Sequence, residues 1–197
     1  MKKFNFKQIK FRVVKAQELT DQLLILNLYV TQVLTLIVGI AILFFQSRNP
    51  IHLFRLPEGA EFALWGVLFA AVVLGVDALI GRFVPEEVTD DGGINQLLFG
   101  KRALWHIAVI SFIVSVCEEL LFRGAIQHAF GPYWTSILFA AIHIRYLKHW
   151  LMTGLVFSIS YGLGWIYIQT NTLWTPIVAH FIIDFVMGCI IRYGRKS

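Results

Sequence analysis

Apolar residues in this chain run on without a polar interruption every second or fourth position. Such runs cover residues 23–45, 62–80, 103–121, 150–168 and 174–191, each near the roughly 20 residues that a membrane-spanning helix needs. A shorter run, 133–144, is opened by Gly131 and Pro132 and closed by Arg145. It is short for a crossing, and reads either as a brief span or as a re-entrant helix buried in protein. The pattern therefore predicts an all-α, polytopic membrane helix bundle with about six transmembrane segments, one of them short.

Composition agrees with that reading. The 197 residues are 57% hydrophobic and 15% charged, and the mean hydropathy is +0.69, too apolar for an ordinary soluble domain. Cys117 and Cys189 both fall inside apolar runs, so buried free thiols are expected rather than a disulfide framework. Residues 1–22 hold six Lys or Arg and no short apolar core followed by a cleavage site, which reads as a retained basic segment, not a signal peptide.

Charge sets orientation. With six crossings, all of the 17 Lys and Arg residues except Arg48, Arg55 and Arg123 fall on one side, which the positive-inside rule makes the cytoplasmic one. Both termini are then cytoplasmic, and the setting expected is the plasma membrane of a bacterium. Basic flanks bind anionic headgroups, so membrane lipids are the partners implied by the net charge of +5 and nucleic acid is not. The acidic stretch 85–93, with Glu86, Glu87, Asp90 and Asp91, reads as a solvated loop. One membrane domain, 23–197, follows the basic segment, and the residues with chemistry gather in its back half, about 103–191.

Glu118 and Glu119 lie where the third run should be inside or leaving the bilayer, a costly place for carboxylates. On a helix, Glu119 and Arg123 share a face and can pair, while Glu118 points about 100° away. One acid is held and the other is left for use as a general base, unless all three form a solvated helix end. His143 closes the short segment with Phe139 four residues before it. His180 and Asp184 sit mid-run at a spacing of four, where an acid orients an imidazole. Glu118, His143, His180 and Asp184 together suit activation of water and stabilisation of an oxyanion in amide hydrolysis; the same four could hold a divalent metal such as zinc. The sequence commits to no cofactor and leaves such a metal open.

These residues carry a resemblance. Glu118 to Arg123 reads Glu-Glu-x-x-x-Arg, Phe139 to His143 reads Phe-x-x-x-His, and His180 is followed four residues on by Asp184. The three motifs, in this order, resemble those of the CAAX-protease and bacteriocin-processing (CPBP, or Abi) family of intramembrane proteases, which includes the Rce1-like branch. The resemblance implies that Glu118, helped by His143, activates water, that His180 with residue 184 polarises the scissile carbonyl, and that Glu119, Arg123 and Phe139 support the site. Substrates would be peptides or membrane proteins, lipidated in one branch. In the CAAX-processing branch residue 184 would be Asn; the Asp here departs from it, and orienting His180, staying protonated or binding a cation are the roles open to it. No His-Glu-x-x-His motif is present, which favours glutamate-type catalysis.

A non-catalytic bacteriocin-immunity or membrane-scaffold protein is the alternative function, and a small transporter a third, without an inverted repeat to support it. Gly154, Ser158 and Gly162 form a small-residue face suited to close helix packing. Asp77, in the second run, has no assigned role and is not placed in the site. His106, His128 and His149 fall near run ends and are not expected to act.

Overall fold

The computed structural model describes residues 21–89 and 92–194. Most of the basic N-terminal segment, Asp90, Asp91, Arg195 and Lys196 lie outside the described residues. Among those described, the elements are α1 (Asp21–Phe45), α2 (Pro50–Leu53), α3 (Glu61–Phe83), α4 (Glu86–Thr89), α5 (Ile94–Phe99), α6 (Leu104–Glu119), a π-helical segment (Leu120–Ile126), α7 (Gln127–Ile142), α8 (Trp150–Thr170) and α9 (Trp174–Tyr193), with no strand. Among the described residues, five helical stretches are long and apolar enough to cross a membrane: α1, α3, the continuous run Leu104–Ile142, α8 and α9. Their outward faces carry exposed Leu26, Val33, Ile37, Val72 and Leu79, as lipid rather than water requires. The chain is an integral membrane protein.

The short segment 133–144 is not a free-standing helix; it is the far arm of α7. Phe122 and Phe139 are 17 positions apart in sequence and would be ~25 Å apart on a straight helix. Their ring centroids are 4.8 Å apart, so the chain doubles back between them. The reversal is at Gly131 (φ 73, ψ 172), a conformation that glycine adopts without steric cost. Pro132 restarts the helix, and Thr135 and Ser136 bond through their hydroxyls to the carbonyls of Gly131 and Pro132, both at 2.7 Å. The returning arm is only ~15 Å long at 1.5 Å per residue, and residues 143–149 complete the return.

Hydrogen bonds show which ends lie together. On one side Asp21 pairs with Arg102, Arg192 Nε donates to the Arg102 carbonyl at 3.0 Å, and Arg145 Nη1 donates to Asn95 Oδ1 at 3.1 Å. On the opposite side Gln46 Nε2 donates to the Ala125 carbonyl at 3.0 Å and Trp174 Nε1 to the Phe54 carbonyl at 3.0 Å. The start of α1, the end of α9 and the segments bearing Lys101 and Arg145 thus share one end of the bundle, as six passages require. Helix α9 is central, packing against α3, α6, α8 and α5.

Close packing uses other glycines than the small-residue face suggests. A Cβ on Gly66 would lie 2.9 Å from the Thr175 carbonyl, and one on Gly188 2.7 Å from the Ile107 side chain, so α3 meets α9 backbone to backbone and Ile107 of α6 packs directly on the α9 backbone. Gly162 does press against the Phe69 ring, but Gly154 has nothing within 4 Å. The expected face is a helix contact only at Gly162.

Candidate active site

The site begins where α6 passes into the π-helical segment. Widening the turn disturbs the usual pairing of backbone carbonyls, and the turn that follows α1 supplies donors: Arg48 donates to Gly124 and Gln46 to Ala125. Glu118 and Glu119 are therefore not at the end of their span, as the apolar run suggests; helical chain continues past them to Gly131. Glu119 is ~22 Å along α6 from Leu104, and His180 is ~20 Å along α9 from Tyr193, counted from the same end of the bundle. The two meet at one depth, inside the thickness of a bilayer's apolar core.

Glu119 and Arg123 are both 0% exposed. Arg123 Nη1 donates to Glu119 Oε1 at 3.3 Å, and Nε lies 3.1 Å from Oε2 in ionic contact without hydrogen-bond alignment. Arg123 Nη2 also donates to the carbonyl and hydroxyl of Ser160 on α8, at 2.9 and 3.1 Å, and its guanidinium lies 5.3 Å from the centre of the Phe139 ring. Sequence spacing accounts for the pair. It does not show the third member: His180 Nδ1 is 2.8 Å from Glu119 Oε1.

Glu118 points the other way, as the helical angle predicts. It lines a cavity of about 440 Å³ together with His143, His180, Asp184, Gln32, Asn95, Arg145 and Tyr146. All four residues proposed for the chemistry thus border one space. Gln32 Nε2 donates to Glu118 Oε1 at 3.4 Å. His143 Nδ1 is 2.7 Å from the Phe139 carbonyl; a carbonyl only accepts, so Nδ1 carries the hydrogen and Nε2 is the nitrogen open to the cavity. Stacking between Phe139 and Tyr146 holds the ring, with centroids 4.5 and 6.3 Å away. His180 Nε2 is 3.5 Å from Asp184 Oδ2, and the Asp184 side chain is 34% exposed. From Glu118 at its inner end, the cavity extends past Asn95 and Arg145 to Leu24 and Ile191 at the basic end of the bundle.

A second cavity of about 390 Å³ shares His143, Arg145, His180 and Asp184 but is otherwise walled by apolar residues of α3, α8 and α9, among them Phe69, Val73, Leu155 and Ile183. Asp77 and Ser158 border it. Asp77, left outside the site by the sequence reading, is therefore on the wall of a cavity that reaches the four residues.

Among the described residues, no group of three or more His, Cys, Asp and Glu side chains is arranged to hold a metal ion. Both Nδ1 atoms are committed, to Glu119 and to Phe139, which leaves Nε2 as the nitrogen each ring has for a further partner. Cys117 and Cys189 are free thiols. His106 bonds to Tyr29 at 3.1 Å, and neither it, His128 nor His149 lines either cavity. Gln32, Asn95 and Tyr146 were missed; a lone amide inside an apolar run was the available signal for Gln32.

A family model described as Type II CAAX prenyl endopeptidase Rce1-like matches residues 100–186. The uncharacterized protein YpbD of Bacillus subtilis (strain 168) is 42% identical over 129 residues, spanning 66% of this chain and 68% of that protein. The UPF0177 protein YxdF of Lactococcus lactis subsp. lactis (strain IL1403) is 26% identical over 139 residues, 66% of this chain and 77% of that protein. No solved structure matches the chain.

Proposed function

Because the chain belongs to the Rce1-like family, whose model is that of type II CAAX prenyl endopeptidases, we propose that it is an intramembrane endopeptidase that cleaves membrane-associated or lipidated peptides with a Glu-activated water. The observation that carries this reading is that Glu118, His143, His180 and Asp184, from three separate helical segments, line one cavity. A scaffold or immunity protein has no need of an open carboxylate at this depth, where it costs several kcal/mol.

In the reaction, Glu118 takes a proton from water, and the water oxygen attacks the scissile carbonyl while His143 Nε2, accepting a hydrogen bond, helps to hold that water. The carbonyl oxygen gains the negative charge. A hydrogen on His180 Nε2 faces it, with Glu119 behind the ring on Nδ1 and Asp184 beside Nε2 fixing the imidazole's orientation. Collapse of the intermediate breaks the C–N bond, and the proton on Glu118 passes to the departing amine, giving one acid and one amine per water consumed. Asp184 acts here as an orienting group and not as an oxyanion donor.

Two entrances suit two parts of a substrate. The apolar cavity accommodates a hydrophobic segment or lipid, and the polar one opens at the end carrying Lys101, Arg102, Arg145, Lys148 and Arg192. By the positive-inside rule that end is cytoplasmic, so cleavage is from the cytoplasmic side of a bacterial plasma membrane. The test is cleavage of a membrane peptide library by purified protein in proteoliposomes, with products read by mass spectrometry. Wild type should yield fragments that Glu118→Gln does not; identical fragments at identical rates from both would overturn the assignment.

A further inference from the structure

Gln32 on α1 lies outside the residues matched by the family model, 100–186, and carries none of the three motifs. It is nonetheless 6% exposed, lines the polar cavity beside Glu118, and aims its amide nitrogen at Glu118 Oε1, 3.4 Å away. Its own Oε1 is buried with no hydrogen-bond partner among the described residues. A glutamine buried for packing has both ends of its amide satisfied in most proteins. Here one end is left unmet while the other addresses a carboxylate. Reversing the amide would set its oxygen against Glu118 Oε1, two acceptors face to face, so the orientation is dictated by Glu118.

Resting on the endopeptidase reading, we propose that Gln32 is a positioning residue for the base: it holds Glu118 by Oε1, so that Oε2 is the oxygen presented to the water. A carboxylate on a flexible side chain, tethered by neither oxygen, turns freely and offers the water a shifting target. Gln32 reaches Oε1, and Oε2 is the other oxygen of a carboxylate that lines the cavity. The 3.4 Å contact is at the long end for a hydrogen bond, and such contacts in ligand-free sites shorten when substrate closes them. In the step itself the water's O–H breaks, its proton joins Oε2, and the hydrogen bond from Gln32 stays on Oε1 throughout. Supplying this group from α1 also explains why the first helix is packed against α6 and the π-helical segment instead of serving only as a membrane anchor.

The experiment compares wild type, Gln32→Met, Gln32→Asn and Glu118→Gln in proteoliposomes, on one cleaved substrate, with kcat, KM and the thermal midpoint measured. Gln32→Met keeps length and volume but has no donor; Gln32→Asn keeps the amide and withdraws it by one methylene, and it carries the test if the Met variant does not fold. The expected result is kcat lower by about 10- to 100-fold in both, the scale of a slightly misplaced reacting group, with KM within about twofold and a midpoint no lower than wild type. Wild-type kcat in either folded variant overturns the proposal and leaves the Glu118 assignment standing. So does a loss of kcat that tracks a fall in midpoint or an equal rise in KM, which would make Gln32 a packing residue. Wild-type cleavage by Glu118→Gln would instead overturn the endopeptidase reading and this inference with it.

Discussion

His180 Nδ1 lies 2.8 Å from Glu119 Oε1, which joins the second glutamate of the pair to the histidine of the last helix, 61 positions away in sequence. Glu119 is thereby a hub: Arg123 ties it to α8 through Ser160, and His180 ties it to α9. The two adjacent glutamates have separate partners, Glu119 in a closed ionic cluster and Glu118 on an open cavity.

The cluster sets a stability prediction. Removing Arg123 alone, as in Arg123→Met, leaves Glu119, at 0% exposure, with His180 in place of its guanidinium partner and should cost about 3–5 kcal/mol. The double variant Glu119→Gln/Arg123→Met removes both charges and should recover more than half of that loss, as measured by unfolding in detergent. Equal destabilisation by the single and double variants would show that the ion pair is not what the fold depends on.

Asp184 stands 3.5 Å from His180 Nε2, a distance at which it orients the ring. Asp184→Asn retains a group that can hydrogen-bond and should keep turnover within about 10-fold of wild type, whereas Asp184→Leu, which cannot orient the imidazole, should lose about 10- to 100-fold. Peptide-cleavage rates at saturating substrate separate the two. An Asn variant as slow as the Leu variant would mean that the carboxylate's charge, not its orienting bond, is needed.

Glycine substitutions discriminate between the real helix contacts and the small-residue face. At Gly66 a Cβ meets the Thr175 carbonyl and Val178, both at 2.9 Å, so Gly66→Ala must push α3 from α9 and should cost about 1–3 kcal/mol. Gly154 has open space around it, and Gly154→Ala should leave the midpoint unchanged or slightly raised. Melting curves of the two variants side by side give the answer, and a destabilising Gly154→Ala would contradict the packing described.

Metal dependence has a direct test. Since no three-residue ligand group is arranged among the described residues, protein stripped with a chelator should cleave as fast as untreated protein, and elemental analysis should find no stoichiometric zinc. Loss of activity on stripping, restored by one equivalent of zinc, would require the four residues to rearrange around an ion.

Hydropathy and spacing are local properties, and what rests on them alone was legible: a membrane helix bundle, five long spans, the Glu119–Arg123 pair four residues apart on one helix, the divergence of Glu118 from it, and the motifs that give the family. Even Gly131 and Pro132 marked the start of the short segment. The sequence could not show that this segment folds back on the π-helical turn, because that depends on Phe122 meeting Phe139 after a reversal. Nor could it show that Gln32, from the first span, reaches Glu118, or that Asp77 borders the same space as Asp184. Small-residue spacing misdirected at Gly154 because a periodic face says which residues lie together on a helix, not which helix, if any, lies against them. The sequence determined which polar groups must be buried; only the tertiary structure decided their partners, since every buried charge takes the nearest group that satisfies it, and nearness across helices is set by how the helices pack.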